Sequence, residues 1–206
     1  MERATLDPAA QRRTIILGMA AAAPLALGLW VAAYRLLPGE AAARASADPF
    51  RFALGLTCVA VLLCLVAGVE AVAHRRLYSA AIDPLAGADP PAMKVDQRYL
   101  QQTLEQILVF AAGLFGLAAF AAPETAVRAI AATGTVWILS RWAFWIGYRR
   151  AARFRAPGLV GMVQSILVLL WVVWRFGSSI AGPVGGALPI ALFLGIEALL
   201  VFQAKR

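Results

Sequence analysis

The chain is poor in charge and in the residues that carry most enzymatic chemistry. Only 15% of its 206 residues are charged, eleven of them acidic, and it holds one histidine and two cysteines. With His74 as the only histidine, no nucleophile–base–acid arrangement, metal-ligand cluster or phosphate-binding glycine loop is visible. Cys58 and Cys64 lie inside one apolar segment, where they read as small buried hydrophobes rather than as a disulfide or metal pair. A net charge of +8 suggests nucleic acid, but there is no basic stripe on a soluble domain to receive it. The basic residues instead sit at the ends of apolar runs.

Those runs dominate what is present. The composition is 62% hydrophobic, with a mean hydropathy of +0.76. A soluble domain of this length cannot bury so much apolar surface, because surface still outweighs volume at this size. In lipid only helices and closed barrels satisfy their backbone hydrogen bonds. The runs are continuous rather than alternating, so the expected fold is all-α, a multi-pass transmembrane helical bundle. A helix needs about 20 apolar residues to cross the hydrocarbon core. Six stretches qualify or nearly do: Thr14 to Leu36, Phe52 to Ala73, Leu100 to Ala121, Ala126 to Tyr148, Leu159 to Phe176 and Gly185 to Phe202. Pro189 is expected in the first turn of the last one, where its missing N–H does no harm. Arg12, Arg13 and the following run resemble a signal peptide. The run is too long for that, and Arg35 interrupts the approach to a cleavage site near Ala43 and Ala45, so a retained helix is expected.

Scoring the loops for Lys and Arg gives thirteen on the side of the termini against five on the other, with Arg141 left inside a span. The positive-inside rule therefore predicts both termini in the cytoplasm, as an even number of spans requires. Loops are short except 77–96, where Asp83-Pro84 and Asp89-Pro90-Pro91 stop helices and start turns. Gly158, Gly161, Gly182, Gly185 and Gly186 read as packing or turn positions.

Ionisable residues inside spans are the sharpest local signal, since a charge at the bilayer centre costs roughly 3 kcal/mol. Glu70, Glu105, Arg141 and Glu197 qualify. Glu105 lies seven residues past Arg98 and Arg141 seven before Tyr148, so both sit about 10 Å below one boundary. Antiparallel neighbours would place these opposite charges at one depth, and an ion pair between them is expected. Glu70 is one turn before His74 near a helix end, an interfacial arrangement. Glu197 has no obvious partner.

The stretch QRYLQQTLEQILVFAAGLFGLAAF from Gln97 and the stretch SRWAFWIGYRRAARFRAPG from Ser140 resemble the MAPEG family, the membrane-associated proteins of eicosanoid and glutathione metabolism. The chain looks like a divergent, bacterial-type member, which implies a bacterial inner membrane. The matching residues are Arg98, Glu105, Arg141, Tyr148 and the turn Arg155-Ala156-Pro157. The resemblance implies a four-helix core over residues 52–176, preceded by a further helix in 1–51 and followed by another in 177–206. It also implies a homotrimer in contact with membrane lipids, with glutathione held between subunits near the cytoplasmic face and a lipophilic small molecule arriving from the membrane. By position, Arg98, Gln102, Glu105, Arg141 and Tyr148 would bind glutathione, with Arg141 and Arg155 as catalytic candidates and no metal. Gln102 replaces the family's usual Asn, and Gln101 stands where several glutathione-using members carry Arg. Leu159 and Val160 stand where those members place a thiolate-stabilising Arg at the start of the next helix. Two functions follow: a glutathione-dependent transferase or peroxidase acting on lipophilic electrophiles, or a non-catalytic lipid-binding or scaffold protein that kept the bundle.

Overall fold

The computed structural model describes residues 8–83, 85, 87, 89–151, 154 and 156–204, with backbone alone at 8, 9, 11 and 157. Among them every regular element is helical. Helix α1 (Pro8–Leu36) is followed by a short α2 (Gly39–Ala45). Next comes a long crossing built of α3 (Pro49–Ala60), a π-turn (Val61–Val66) and α4 (Ala67–Leu77). A 3₁₀ turn (Ala80–Ile82) leads to α5 (Pro91–Phe120), α6 (Pro123–Arg150) and α7 (Ala156–Gln203). Proline opens α3, α5 and α6, where its fixed φ suits a first turn whose N–H groups have no intrahelical acceptor, so its missing N–H costs nothing. Asp48 caps α3 by accepting a hydrogen bond from the Arg51 amide at 2.9 Å. The Pro90-Pro91 pair thus begins a helix rather than only ending a loop, and α5 starts nine residues before the expected Leu100.

Among the described residues five helices are long and apolar enough to cross a membrane, the last of them the 46 residues from Gly158 to Gln203. A straight helix of that length would measure about 69 Å, more than twice the hydrocarbon thickness. The chain does not run straight. Ala181 and Gly182 leave helical geometry, and Gly182 has φ 63° and ψ −159°, a region essentially restricted to glycine. Gly177 then meets the backbone of Gly185 and Gly186, while Gly186 meets Trp174 and Ser178. In a continuous helix residues eight apart are about 12 Å apart. Helix α7 is therefore a hairpin of two arms, 156–180 and 183–203, giving six crossings. The second arm begins two residues before the expected Gly185, which moves Pro189 out of the first turn and into the second.

The crossings alternate in direction. Trp30 meets Thr133 and Tyr34 meets Arg128 across α1 and α6. Phe110 stacks on Trp137 and Gln106 bonds Arg141 across α5 and α6. Gly113 and Gly116 of α5 abut Val168 and Val172 of the first arm of α7. Small residues let these helices approach closely: Gly134 receives Leu56, Gly158 receives Phe144 and Gly161 receives Ser140. The buried core runs along α5 and α6 with Phe110, Leu114, Ile130 and Trp137. Exposed Leu54, Leu62, Leu167 and Leu199 cover the outside, as a lipid-facing surface requires. Cys64 is buried, but Cys58 is exposed on that outer surface rather than packed inside, because the two lie on opposite sides of the helix that carries the π-turn.

Candidate functional site

Three polar groupings lie toward one end of the bundle, where α4 ends, α5 begins and α6 ends. The first is a clamp centred on Asp96, whose side chain is fully buried. Its carboxylate accepts from Trp145 Nε1 at 2.8 Å and from Arg149 Nε and Nη2 at 3.0 and 2.9 Å. It also accepts from Arg75 Nε. Trp145 stacks on Tyr99, with centroids 4.4 Å apart, and Arg149 lies over the Trp145 ring. One carboxylate thus joins α4, α5 and α6, with two guanidinium groups balancing its charge. Sequence reasoning missed it, placing Asp96 in a loop and outside the set of costly charges. The signal was available: Asp96, Tyr99, Thr103 and Phe110 share a helical face, and Trp145 and Arg149 lie one turn apart.

The second grouping surrounds Arg141, also fully buried. Its Nη1 donates to Gln106 Oε1 at 3.0 Å and its Nη2 to Thr103 Oγ1 at 2.9 Å. Its guanidinium lies 5.2 Å from the Tyr99 ring centroid and 4.6 Å from that of Phe144. Its Nε finds no hydrogen-bond partner among the described residues. The expected ion pair with Glu105 is not formed. Glu105 is exposed and accepts a hydrogen bond from Gln101 Nε2 at 3.1 Å. Depth was matched correctly, but one residue is 100° of helix rotation, so Gln106 rather than Glu105 turns inward. Arg141 is consequently a cation held by neutral acceptors and aromatic faces. Tyr99 extends this interior network, its hydroxyl donating to the Cys64 carbonyl within the π-turn at 3.1 Å.

The third grouping is a stripe on the outer face of α5. Arg98 Nη1 donates to Gln101 Oε1 at 3.0 Å, and Gln101 in turn donates to Glu105. All three side chains are exposed. Gln102 is half-buried beside the stripe, and its Oε1 has no partner among the described residues. Tyr148 is half-buried at the end of α6, its ring 5.5 Å from that of Phe144. Of the residues expected to bind a ligand together, Arg98 and Glu105 therefore share one surface, while Arg141 lies inside the protomer. Arg155 lies outside the described residues. Glu70 and His74 form an exposed pair at 3.4 Å, and Glu197 is exposed with no ion pair among the described residues.

Among curated proteins none matches the chain. The sequence pattern of the MAPEG family matches residues 52–175, more than half of the chain, leaving α1, α2 and the second arm of α7 on either side. This region carries both resembling motifs, and its crossings form a bundle of apolar helices. The chain is thus an integral membrane protein and belongs to the MAPEG family.

Proposed function

We propose that this protein is a glutathione-dependent transferase or peroxidase acting on lipophilic electrophiles, with the tripeptide held against the outer face of α5 and both termini in the cytoplasm. One observation carries the reading: a hydrogen-bonded polar stripe, Arg98–Gln101–Glu105, exposed on a surface otherwise suited to lipid. It reaches two turns into the bundle, where hydrocarbon would be an unfavourable neighbour for a carboxylate. A cleft against a second copy, in the trimer that family resemblance implies, would give the stripe a polar environment. Arg98 suits a carboxylate of the tripeptide, with its planar fork of donors, and Glu105 suits the ammonium. Gln102 lies half-buried beside the stripe, and family resemblance assigns it to the same site. Arg141 acts from behind the stripe: it fixes Thr103 and Gln106, and so the rotation of α5 that presents Arg98 and Glu105. Tyr148, which family resemblance assigns to the same site, packs against the Tyr99–Phe144–Trp145 cluster behind α5. The thiolate sulfur would attack the electrophile, forming a carbon–sulfur bond as the leaving group departs with its electron pair. Arg155 of the basic loop is the cation proposed to favour that thiolate.

The test is calorimetric titration of glutathione into the purified protein, wild type beside Arg98→Ala and Glu105→Gln. Saturable binding weakened at least about tenfold by either change supports the reading, an effect of one charge-assisted contact. A second reading, a non-catalytic lipid-binding or scaffold protein, is favoured by Leu159 and Val160 in place of a thiolate-stabilising Arg and by the enclosure of Arg141. Absence of binding at millimolar glutathione, by a folded protein, would select it.

A further inference from the structure

At the opposite end of the bundle two recesses meet. The first is an apolar groove of about 570 Å³ between α1 and the first arm of α7, lined among others by Ala26, Leu27, Trp30, Gln164 and Leu167. It falls within the roughly 300–1,000 Å³ of small-molecule sites. The second is a polar recess of about 610 Å³ formed by Tyr34, Arg35, Glu124, Thr125 and Arg128. Tyr34 and Thr125 line both, so the two adjoin. Leu27 and Leu167 are exposed on the groove, which therefore opens sideways toward lipid. Trp30 and Tyr34 are stacked at its polar end, in the manner of the aromatic side chains that mark a membrane–water boundary.

Charge at that boundary selects the head of the occupant. Arg128 is fixed by Glu124 at 3.2 Å and by the carbonyls of Tyr34 and Leu37. Arg35 is exposed and makes no ion pair among the described residues. Two guanidinium groups against one carboxylate leave one net positive charge facing the recess. A molecule of the bilayer with an apolar tail and an anion at the boundary fits both halves. We propose that this site binds one anionic phospholipid, an acyl chain lying in the groove and the phosphate on Arg35. The groove wall from α1 precedes the residues matched by the family, so the site depends on an element added to that core.

The test is native mass spectrometry of the protein released from nanodiscs of equimolar phosphatidylglycerol and phosphatidylcholine. Wild type should retain phosphatidylglycerol preferentially. Arg35→Gln, an exposed change that leaves the Arg128 contacts intact, should lower that preference about tenfold. Ala26→Trp, filling the groove, should remove both lipids, and circular dichroism should show that both variants remain helical. Equal retention of the two lipids by wild type would overturn the proposal. So would an Arg35→Gln variant with unchanged preference, or a folded Ala26→Trp variant that still carries phosphatidylglycerol.

Discussion

Asp96 is the residue whose removal should most damage the fold. Its buried carboxylate holds three donors from two other helices, Trp145 Nε1, the Arg149 guanidinium and Arg75 Nε. Hydrogen bonds to a charged group contribute about 1.5–3 kcal/mol each, and breaking one partner out of a buried pair costs about 3–5 kcal/mol. Arg75 and Arg149 are 37% and 43% exposed, however, so water recovers part of what each loses. Asp96→Ala should therefore destabilise by about 2–4 kcal/mol. Asp96→Asn keeps an acceptor for Trp145 but loses the charge, and should cost about 1–2 kcal/mol. Single removal of Arg75 or Arg149 should cost less than Asp96→Ala, since the other arginine still balances the carboxylate. Equilibrium unfolding in mixed micelles, followed by tryptophan fluorescence, measures all four. A double-mutant cycle between Asp96→Asn and Arg149→Gln should give a coupling of about 1 kcal/mol or more. Additivity within about 0.5 kcal/mol, or an Asp96→Ala variant as stable as wild type, would refute the clamp as a stabilising unit.

Three further outcomes follow from the same packing. Gly182→Ala should cost about 1–3 kcal/mol, because its positive φ lies in a region that only glycine enters readily; an unchanged thermal unfolding midpoint would argue against the hairpin turn. Gly161→Val should cost about 1–3 kcal/mol, since a branched side chain would collide with Ser140, whereas Gly195→Ala, with open space around it, should stay within about 0.5 kcal/mol in the same assay. Arg141→Met should change stability by no more than about 1 kcal/mol, as relief of an uncompensated buried charge offsets the loss of its bonds to Gln106 and Thr103; a loss of several kcal/mol would mean that the cation is retained for the fold itself.

The crossings were legible because lipid imposes length. Runs of about 20 apolar residues announce themselves without any tertiary information, and so did the reversal at Gly182, bracketed by glycines and Pro183. The ends of helices were less legible. Pro91 to Gln97 are polar and proline-led, so hydropathy alone places them in a loop, whereas packing of Met93 and Asp96 draws them into α5. The helical face that Asp96 shares with Tyr99 and Thr103 is a local pattern, but its partners come from positions 75, 145 and 149, and that pairing between helices is not. The short helix α2 is similarly hidden, being too brief and too exposed to leave a periodic signature.

The polar residues of α5 divide by rotation rather than by depth. Arg98, Gln101 and Glu105 recur at intervals of three and four, as do Tyr99, Thr103 and Gln106, and the two rows are turned about 130° apart around one helix. Reading depth alone pairs Glu105 with Arg141, because opposite charges at one level are the cheapest arrangement in lipid. The apolar neighbours decide otherwise. Phe110 and Leu114 must face Trp137 and the core, and together with the Arg141 bonds this fixes the inward row at Thr103 and Gln106. Glu105 is left on the outside, unneutralised by Arg141, and Arg141 on the inside, unneutralised by Glu105. A protomer that separates two charges which could have cancelled exposes an acidic and basic stripe where a lipid-facing helix would be apolar. That separation is the physical reason to look for the ligand on the outer face of α5, against a second copy, rather than in the interior around Arg141.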